Sequence, residues 1–547
     1  DGKKRFVKRP GVNIVPLVNS SGAPVTYPVG VTQGTFYWQN YFVIVVSNEI
    51  YAIQYATNTL LFLGGMTGTT PVTYYVNNVS GTNTLTVTSS TGTGTYVDPR
   101  YIGSTITGSG IPTGTTITAV SGNTVTISNS TTSAATAFVL QTYGQCYFTG
   151  TVTGSSMFVH NQVNGYTIDH ATGTVTQILS NSVVDVSILT GGSLYTNPSV
   201  TFSAPTSGTT ATGTVNLTAG VVTSITMTNN GSGYTSPPTV TITDASISGI
   251  PVTNTSGTNL LYTTSPPDTH FIGYPLSGTG IQSGTVITAI SGTQVTISLN
   301  TTSAVTSVTV GGTGAGFTGT AVLNGFPSGT PIVPGAVMLD QYHIVATQDN
   351  VLHVSNLNNP SIWNPLDFLT KESEYDIMVG IARHLNYVVA FGYWTLDFFY
   401  DAGNAVGSPL NPSLAYHAEV GCQVGTSIVS YENTVVWIGT SRGSGNGVYI
   451  LNGVTPQKVS SPEVDRIISN SALQTPNNCT AYPLTWNGHS FYVLTMRDIN
   501  VTLVYDLTEK VWTQWTSYNN SGPNGTYVEQ YFLPQFFIGG DQLYYTV

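Results

Sequence analysis

The sequence predicts an all-β protein: a β-propeller of about six blades, with small β-sandwich or barrel modules spliced into its blade loops. Three observations carry this. Short aromatic-rich strands recur at a spacing of roughly 40–50 residues, the range for propeller blades. Charged residues make up only 7% of the 547, while glycine numbers 59, so the surface is polar through Thr, Ser, Asn and Gly. A typical domain carries roughly 25% charged residues. Finally, two long stretches of different style interrupt the strand pattern, and they repeat one another.

The strand units begin at Thr35-Phe36-Tyr37-Trp38, followed by Tyr41 to Val46 and Glu49 to Ile53. Alternation and β-branched or aromatic enrichment over such short runs read as antiparallel strands. A second unit lies near Phe148–Ile168. The same wording returns at Tyr342 to Ala346, at Tyr387 to Phe391 with Thr395 to Phe399, and at Val435 to Ile438 with Val448 to Leu451. It closes at Ser490 to Leu494 with Thr502 to Tyr505. That makes six units. A blade alone exposes both faces of its sheet, whereas radial packing against two neighbours buries them, and ring closure protects the edges. Tyr531-Phe532-Leu533 to Tyr544-Tyr545 is expected to complete a blade with the N-terminal strand.

Residues 66–140 and 182–332 are Thr/Ser/Gly-rich and nearly free of Lys, Arg and Trp. Ile106 to Thr115 (ITGSGIPTGT) reappears as Leu276 to Thr285 (LSGTGIQSGT), and Val120 to Ser128 matches Ile290 to Ser298 at the same offset. Between these copies Gly191 to Phe202 (GGSLYTNPSVTF) is answered by Gly231 to Ile242 (GSGYTSPPTVTI). The chain therefore divides into a propeller N-terminal part (1–65), a first inserted module (66–140), a blade (141–181), a second module (182–250), a repeat of the first (251–332) and the main propeller (333–547). A module inserted in a blade loop enters and leaves at nearby points. It is expected to sit at the periphery and to contact other proteins or sugars.

The composition excludes several classes. Helical bundles lack their Leu/Ala/Glu/Lys runs here, and 40% hydrophobic with 11% aromatic residues argues against disorder. No apolar stretch approaches the ~20 residues of a bilayer-spanning helix, and the opening Asp1-Gly2-Lys3-Lys4-Arg5 is not a secretory signal. The formal charge is −11. Five of the 13 cations (Lys3, Lys4, Arg5, Lys8 and Arg9) crowd the N-terminus, a basic arm expected to touch an acidic partner or a neighbouring subunit. The acidic remainder does not suit wrapping of DNA through phosphate neutralisation.

No candidate active centre stands out. Lys371-Glu372-Ser373-Glu374-Tyr375-Asp376 gathers carboxylates of the kind a glycosidase pairs across a sugar bond, yet solvated charge in an inter-blade connection is the expectation. His160 with His170, and Asp268 with His270, lack a third ligand at metal spacing, and surface or capping roles are expected. Cys146, Cys422 and Cys479 form neither a metal motif nor a disulfide framework and read as buried thiols. Gly439 to Gly447 lacks the Lys and the following helix of a phosphate loop and reads as a long hairpin loop. The triplets at Asn78, Asn216, Asn300 and Asn500 follow from a Thr-rich composition. Catalytic, cofactor-binding and metal-binding residues are all expected to be none, and the protein is expected not to be an enzyme.

Residues 356–470 carry a family resemblance. Asn356 to Thr370 (NLNNPSIWNPLDFLT, centred on Pro360, Trp363, Pro365, Asp367 and Phe368) resembles a blade connection in tail nozzle proteins of short-tailed bacteriophages, the packaged-DNA stabilisation or tail hub family. Ile377 to Ile381, Val388 to Gly392 and Thr395 to Phe399 are similar to that family's strand–Gly–strand pattern. Gly421 with Gly425 to Val429 resembles its glycine-rich blade opening, and Val448 to Ile450, Gly453, Pro456 and Val464 to Ile468 also fit. The likeness extends over about 335–520, and Phe6 to Gly11 looks like the family's opening strand. It implies a virion protein without turnover: a homo-hexameric ring below portal and adaptor that extends the DNA channel and retains packaged double-stranded DNA. Its implied partners are the tail adaptor, the tail needle and tailspikes or fibres. A glycan-binding adhesin is the alternative, since both tolerate Thr-rich β modules.

Overall fold

The computed structural model describes residues 12–546 except 15, 26–30, 39, 55, 92–94, 151–155, 170–171, 312–313, 328–329, 373–375, 405–406, 432, 444, 476–477, 487, 520–527, 532–535 and 540–541. The chain divides into two compact units, Asp1–Ile178 with Phe326–Val547, and Leu179–Gly325.

Six antiparallel sheets of the first unit occupy the six expected places. Blade 1 runs Thr32–Trp38, Tyr41–Val46, Glu49–Gln54 and Thr59–Gly65, and blade 2 runs Tyr147–Gly150, Ser156–His160, Gly165–Asp169 and Val175–Gln177. Blade 3 comprises Val337–Leu339, Tyr342–Ala346, Val351–Asn356 and Asn359–Thr370. Blade 4 comprises Met378–His384, Tyr387–Gly392, Leu396–Asp401 and Leu410–Ala418. Blade 5 is built on Val435–Ser441, Gly445–Asn452 and Thr455–Lys458, with two short inner strands, Gly421–Cys422 and Val429–Ser430. Blade 6 starts at Cys479–Trp486 and extends to a fifth strand, Val528–Tyr531. The terminal strands make a separate three-stranded sheet, in which Val12–Ile14 pairs with Gln542–Thr546 (Val12 opposite Thr546) and Phe536–Gly539 pairs on the other side. The shared closure expected from sequence is thus a sheet of its own rather than the completion of one of the six.

The second strand of each blade explains why the ring forms. Strand side chains alternate between faces, yet Val43, Ile44, Val45 and Val46 are all buried. Val43 and Val45 pack with Met157 and Val159 of blade 2, while Ile44 and Val46 join a different cluster with Leu17. Blade 4 repeats the division: Val388 and Ala390 face blade 3, and Val389 and Phe391 face Val435 and Trp437 of blade 5. In blade 5, Val436 and Ile438 turn to Tyr492 and Leu494 of blade 6. A strand buried on both faces reads as an unbroken apolar run, and the runs of blades 4 and 5 are each wedged between two neighbouring sheets.

Glycine permits the inner strands to approach. A Cβ on Gly34 would lie 2.5 Å from the Cys146 carbonyl oxygen of blade 2, and one on Gly425 would collide with Val379 O of blade 4. Outer strands carry Pro360 and Pro365, Pro412 and Pro456, which interrupt the row of edge donors that another chain could extend. The helix Pro462–Ser469 links blades 5 and 6; Ser461 caps it by accepting from Val464 N–H, and Val464 and Ile468 are buried between the two blades.

The repeated modules are closed six-stranded barrels. The first has strand order Ile106–Thr107, Ala137–Thr142, Thr70–Asn77, Thr84–Ser90, Thr124–Ile127, Ile117–Ser121, and the second has the equivalent order from Leu276–Ser277 to Ile287–Ser291. Their edges meet through Ile106 N–H on Thr115 O at 3.0 Å and Leu276 N–H on Thr285 O at 2.8 Å. Both cores use the same positions: Ile106, Ile117, Val125 and Ile127 in one, Leu276, Ile287, Val295 and Ile297 in the other. The remainder of the second unit is three two-stranded sheets around Tyr195, Phe202 and Tyr234.

The first barrel is less peripheral than its sequence suggests. Val31, at the start of blade 1, belongs to the barrel core. Arg100 donates to Thr32 O at 3.3 Å and pairs with buried Asp98 at 2.6 Å.

Phe158, Phe326, Val345 and Trp363 form the wedge between blades 2 and 3, with Trp363 fully buried and its Nε1–H donating to Pro360 O at 2.8 Å. Trp363→Ala should cost about 3–5 kcal/mol, as large-to-small core changes do, read as a lowered urea midpoint with an unchanged slope.

Candidate functional site

Most of the side chains capable of chemistry have structural roles. Lys371 is fully buried, not solvated as expected. Its ammonium lies 3.1 Å from Asp397 Oδ2, 4.0 Å from Asp376 Oδ2 and 2.8 Å from Thr395 Oγ1. Asp376, also buried, accepts from the backbone N–H groups of Tyr393, Trp394 and Thr395 at 2.7–2.9 Å. His417 closes the group with Nδ1 at 2.9 Å from Asp397 Oδ1. This cluster staples the exit of blade 3 to the central hairpin of blade 4. It was hidden from sequence reading because the groups that Lys371 and Asp376 meet on blade 4 lie 17–26 residues downstream of them. Glu374 lies outside the described residues. The Asp376 carboxylate is taken up by three backbone N–H groups and the Thr395 hydroxyl, so its role here is to hold the chain.

His160 is likewise buried rather than on the surface. Its Nε2–H donates to Gly335 O at 2.9 Å, and Nδ1 accepts from Gln162 N–H at 3.2 Å. Both nitrogens are committed to the neutral ring, and burial lowers its pKa to about 4. His170 lies outside the described residues. Asp268 and His270 form a pair at 3.1 Å on the second barrel, where Asp268 caps a short turn and accepts from His270 N–H. That hydrogen bond holds its carboxyl below the usual range. In the first barrel the equivalent Asp98 is pushed up by burial, but the Arg100 guanidinium outweighs this and holds it low. Among the described residues no three His, Cys, Asp or Glu side chains are grouped to hold a metal ion.

Cys146, Cys422 and Cys479 are free and buried, and burial pushes the last two thiols up to about 12. They are poor nucleophiles, because the thiolate is the reactive form. The Gly439–Gly447 run is a paired hairpin, with Ser441 opposite Gly445, so most of the expected loop is strand. Asn78 is a barrel brace, donating to Thr131 Oγ1 and accepting from Ala135 N–H. The basic arm Lys3–Arg9 lies outside the described residues. No helix among the described residues is long and apolar enough to cross a membrane.

Surfaces are what remain. Leu366 and Phe368 on the outer strand of blade 3 are 70% and 47% exposed, and Leu414 on the outer strand of blade 4 is 96% exposed. Sequence reading missed these positions, although apolar residues on proline-marked edge strands were the available signal.

Against known proteins, residues 273–542, just under half of the chain, match the family described as Phage_stabilise: Bacteriophage P22 Gp10, beta-propeller. No curated protein matches the chain. Among solved structures it is similar to the computationally designed Ika8 protein (9% identity, 95% of this chain, 100% of that one, TM-score 0.31). The WD40 domain of SCAP from fission yeast gives 8% identity, 98% and 96% coverage and a TM-score of 0.30. Dipeptidyl peptidase 4 of Porphyromonas gingivalis gives 8% identity, 92% and 56% coverage and a TM-score of 0.26.

Doubly buried strands and structural polar clusters fit the β-propeller of this match, and residues 273–542 carry the likeness to a tail protein family of short-tailed bacteriophages. The match supports a place in the virion tail, among other tail components.

Acid should weaken this fold in a defined window. Unfolded histidine titrates near 6.5, whereas His160 and His343 are held down to about 4 by burial. Their contribution is complete above pH ~6.5 and is lost as pH falls toward 4, by on the order of 3 kcal/mol for His160. Urea midpoints at about pH 7.5 and about pH 5 should differ clearly in the wild type, and the difference should shrink in His160→Gln.

Proposed function

We propose that this chain is one wall unit of a tail nozzle: a homo-hexameric ring beneath the portal and adaptor that lengthens the DNA conduit. In this reading it retains packaged DNA, docks the needle and tailspikes or fibres, and catalyses nothing. The observation that carries it is the family match, which runs from within the second barrel through blades 3 to 6 and into the terminal sheet.

Physical features support the reading. A propeller whose blades share core clusters is stiff, as a channel wall must be. The net charge of −11 suits a pipe through which phosphates slide without adhering, because like charge repels and salt screens that repulsion beyond roughly 8–10 Å. Cations that could grip DNA are scarce: Arg100, Lys371 and Lys458 are each tied to a carboxylate at 2.6–3.1 Å. The inserted modules, at 66–140, 182–250 and 251–332, are assigned docking or host-contact roles, and the basic arm Lys3–Arg9 a contact with adaptor or neighbour.

Electron microscopy of the full chain with its adaptor should give a six-fold ring. A monomer or trimer that instead retains glycans would favour an adhesin and overturn the proposal. Within the ring reading, exposed Leu414 and Leu366 supply apolar contact area. Leu414→Asp should weaken assembly by about 1–3 kcal/mol, seen as ring dissociation in mass photometry, while the thermal midpoint of the chain stays within a degree or two.

A further inference from the structure

A partly open cavity of about 320 Å³ lies among the inner strands of the propeller. Four consecutive blades build it from their inner strands and the turns leading into them: Phe148 of blade 2, Val337 and Met338 of blade 3, Ile381 of blade 4 and Ile428 of blade 5 among them. These inner strands touch in sequence. The volume falls at the lower end of the ~300–1,000 Å³ typical of ligand cavities, and the lining is mostly apolar.

One lining residue is charged. Arg383 is exposed at the cavity, and its guanidinium is braced by two carbonyls, Nε–H on Leu385 O at 3.2 Å and Nη1–H on Met338 O at 3.1 Å. Nη2 makes no hydrogen bond among the described residues, and no carboxylate of those residues pairs with Arg383. This contrasts with Arg100, Lys371 and Lys458, each of which sits on an aspartate. A guanidinium fixed by two acceptors keeps a donor edge in place at little entropic cost, which is the arrangement that recognises a carboxylate. Ser430, also lining and exposed, adds a hydroxyl to the lining. The Tyr147 hydroxyl is already committed, donating to Gln145 Oε1 at 3.0 Å.

We propose that this cavity binds a carboxylate carried on a short apolar chain, with the charge on Arg383 and the hydrocarbon against Val337, Met338, Ile381, Phe148 and Ile428. The chemistry is shared by a free medium-chain carboxylate and by the free C-terminus of an apolar peptide. The site is independent of the nozzle reading, since it is formed within one chain.

Calorimetric titration of the full chain decides it, using decanoate, decanamide and the peptide acetyl-Leu-Leu-Val with a free or an amidated C-terminus. Decanoate or the free-acid peptide should bind, and whichever binds tighter identifies the source. The matching amide and the variant Arg383→Leu should each lose at least tenfold in affinity. Ser430→Trp, a change at an exposed position that obstructs the cavity, should abolish binding while circular dichroism and thermal midpoint match the wild type. Absence of binding by both acids, equal binding of acid and amide, or undiminished binding to Ser430→Trp would each overturn the proposal.

Discussion

Everything in the propeller depends on strands that are apolar on both faces. Tyr41–Val46, Tyr387–Gly392 and Val435–Ser441 cannot be satisfied within their own sheets, because one sheet covers neither of its faces. Those of blades 4 and 5 meet a sheet on either side, whereas the blade 1 strand meets blade 2 on one face and the segment at Leu17 on the other. The polar clusters are subordinate to this. Lys371, Asp376 and Asp397 hold one junction in register, and His160 ties blade 2 to the turn before blade 3. Neither cluster supplies the burial that drives assembly of the ring.

This dependence explains what could be read from sequence. The doubly buried strands announce themselves as unbroken runs such as Phe42-Val43-Ile44-Val45-Val46, and their spacing located all six blades. The duplicated barrels were visible as matching text, because the same core positions and the same turn glycines recur. Other features were not legible. Whether the closing strands complete a blade or stand as a sheet depends on pairing between residues 12–14 and 542–546, which no local pattern encodes. The burial of Lys371 and His160 depends on Asp397 and Gly335, and sequence distance conceals both contacts. For the same reason the cavity was invisible: its lining comes from four separate blades, and Arg383 alone among alternating residues carries no signal.

The two barrels show how context alters one design. Both begin their short turn with a capping aspartate, Asp98 or Asp268, which accepts from the residue two positions on. In the first barrel that residue is Arg100, whose guanidinium neutralises the buried acid and reaches blade 1. In the second it is His270, and the acid is exposed. One substitution type thus separates a module anchored to the propeller by a permanent charge from one whose equivalent acid is left to solvent.

The sheet that unites the two ends of the chain has a consequence for how the molecule is made. A strand at residues 12–14 finds its partner only when residue 546 has emerged from the ribosome, so this sheet forms only after all six blades have been synthesised. During that interval the barrels, whose contacts are local, are free to mature first. The prolines on the outer strands meanwhile limit edge-to-edge pairing of the blades already made.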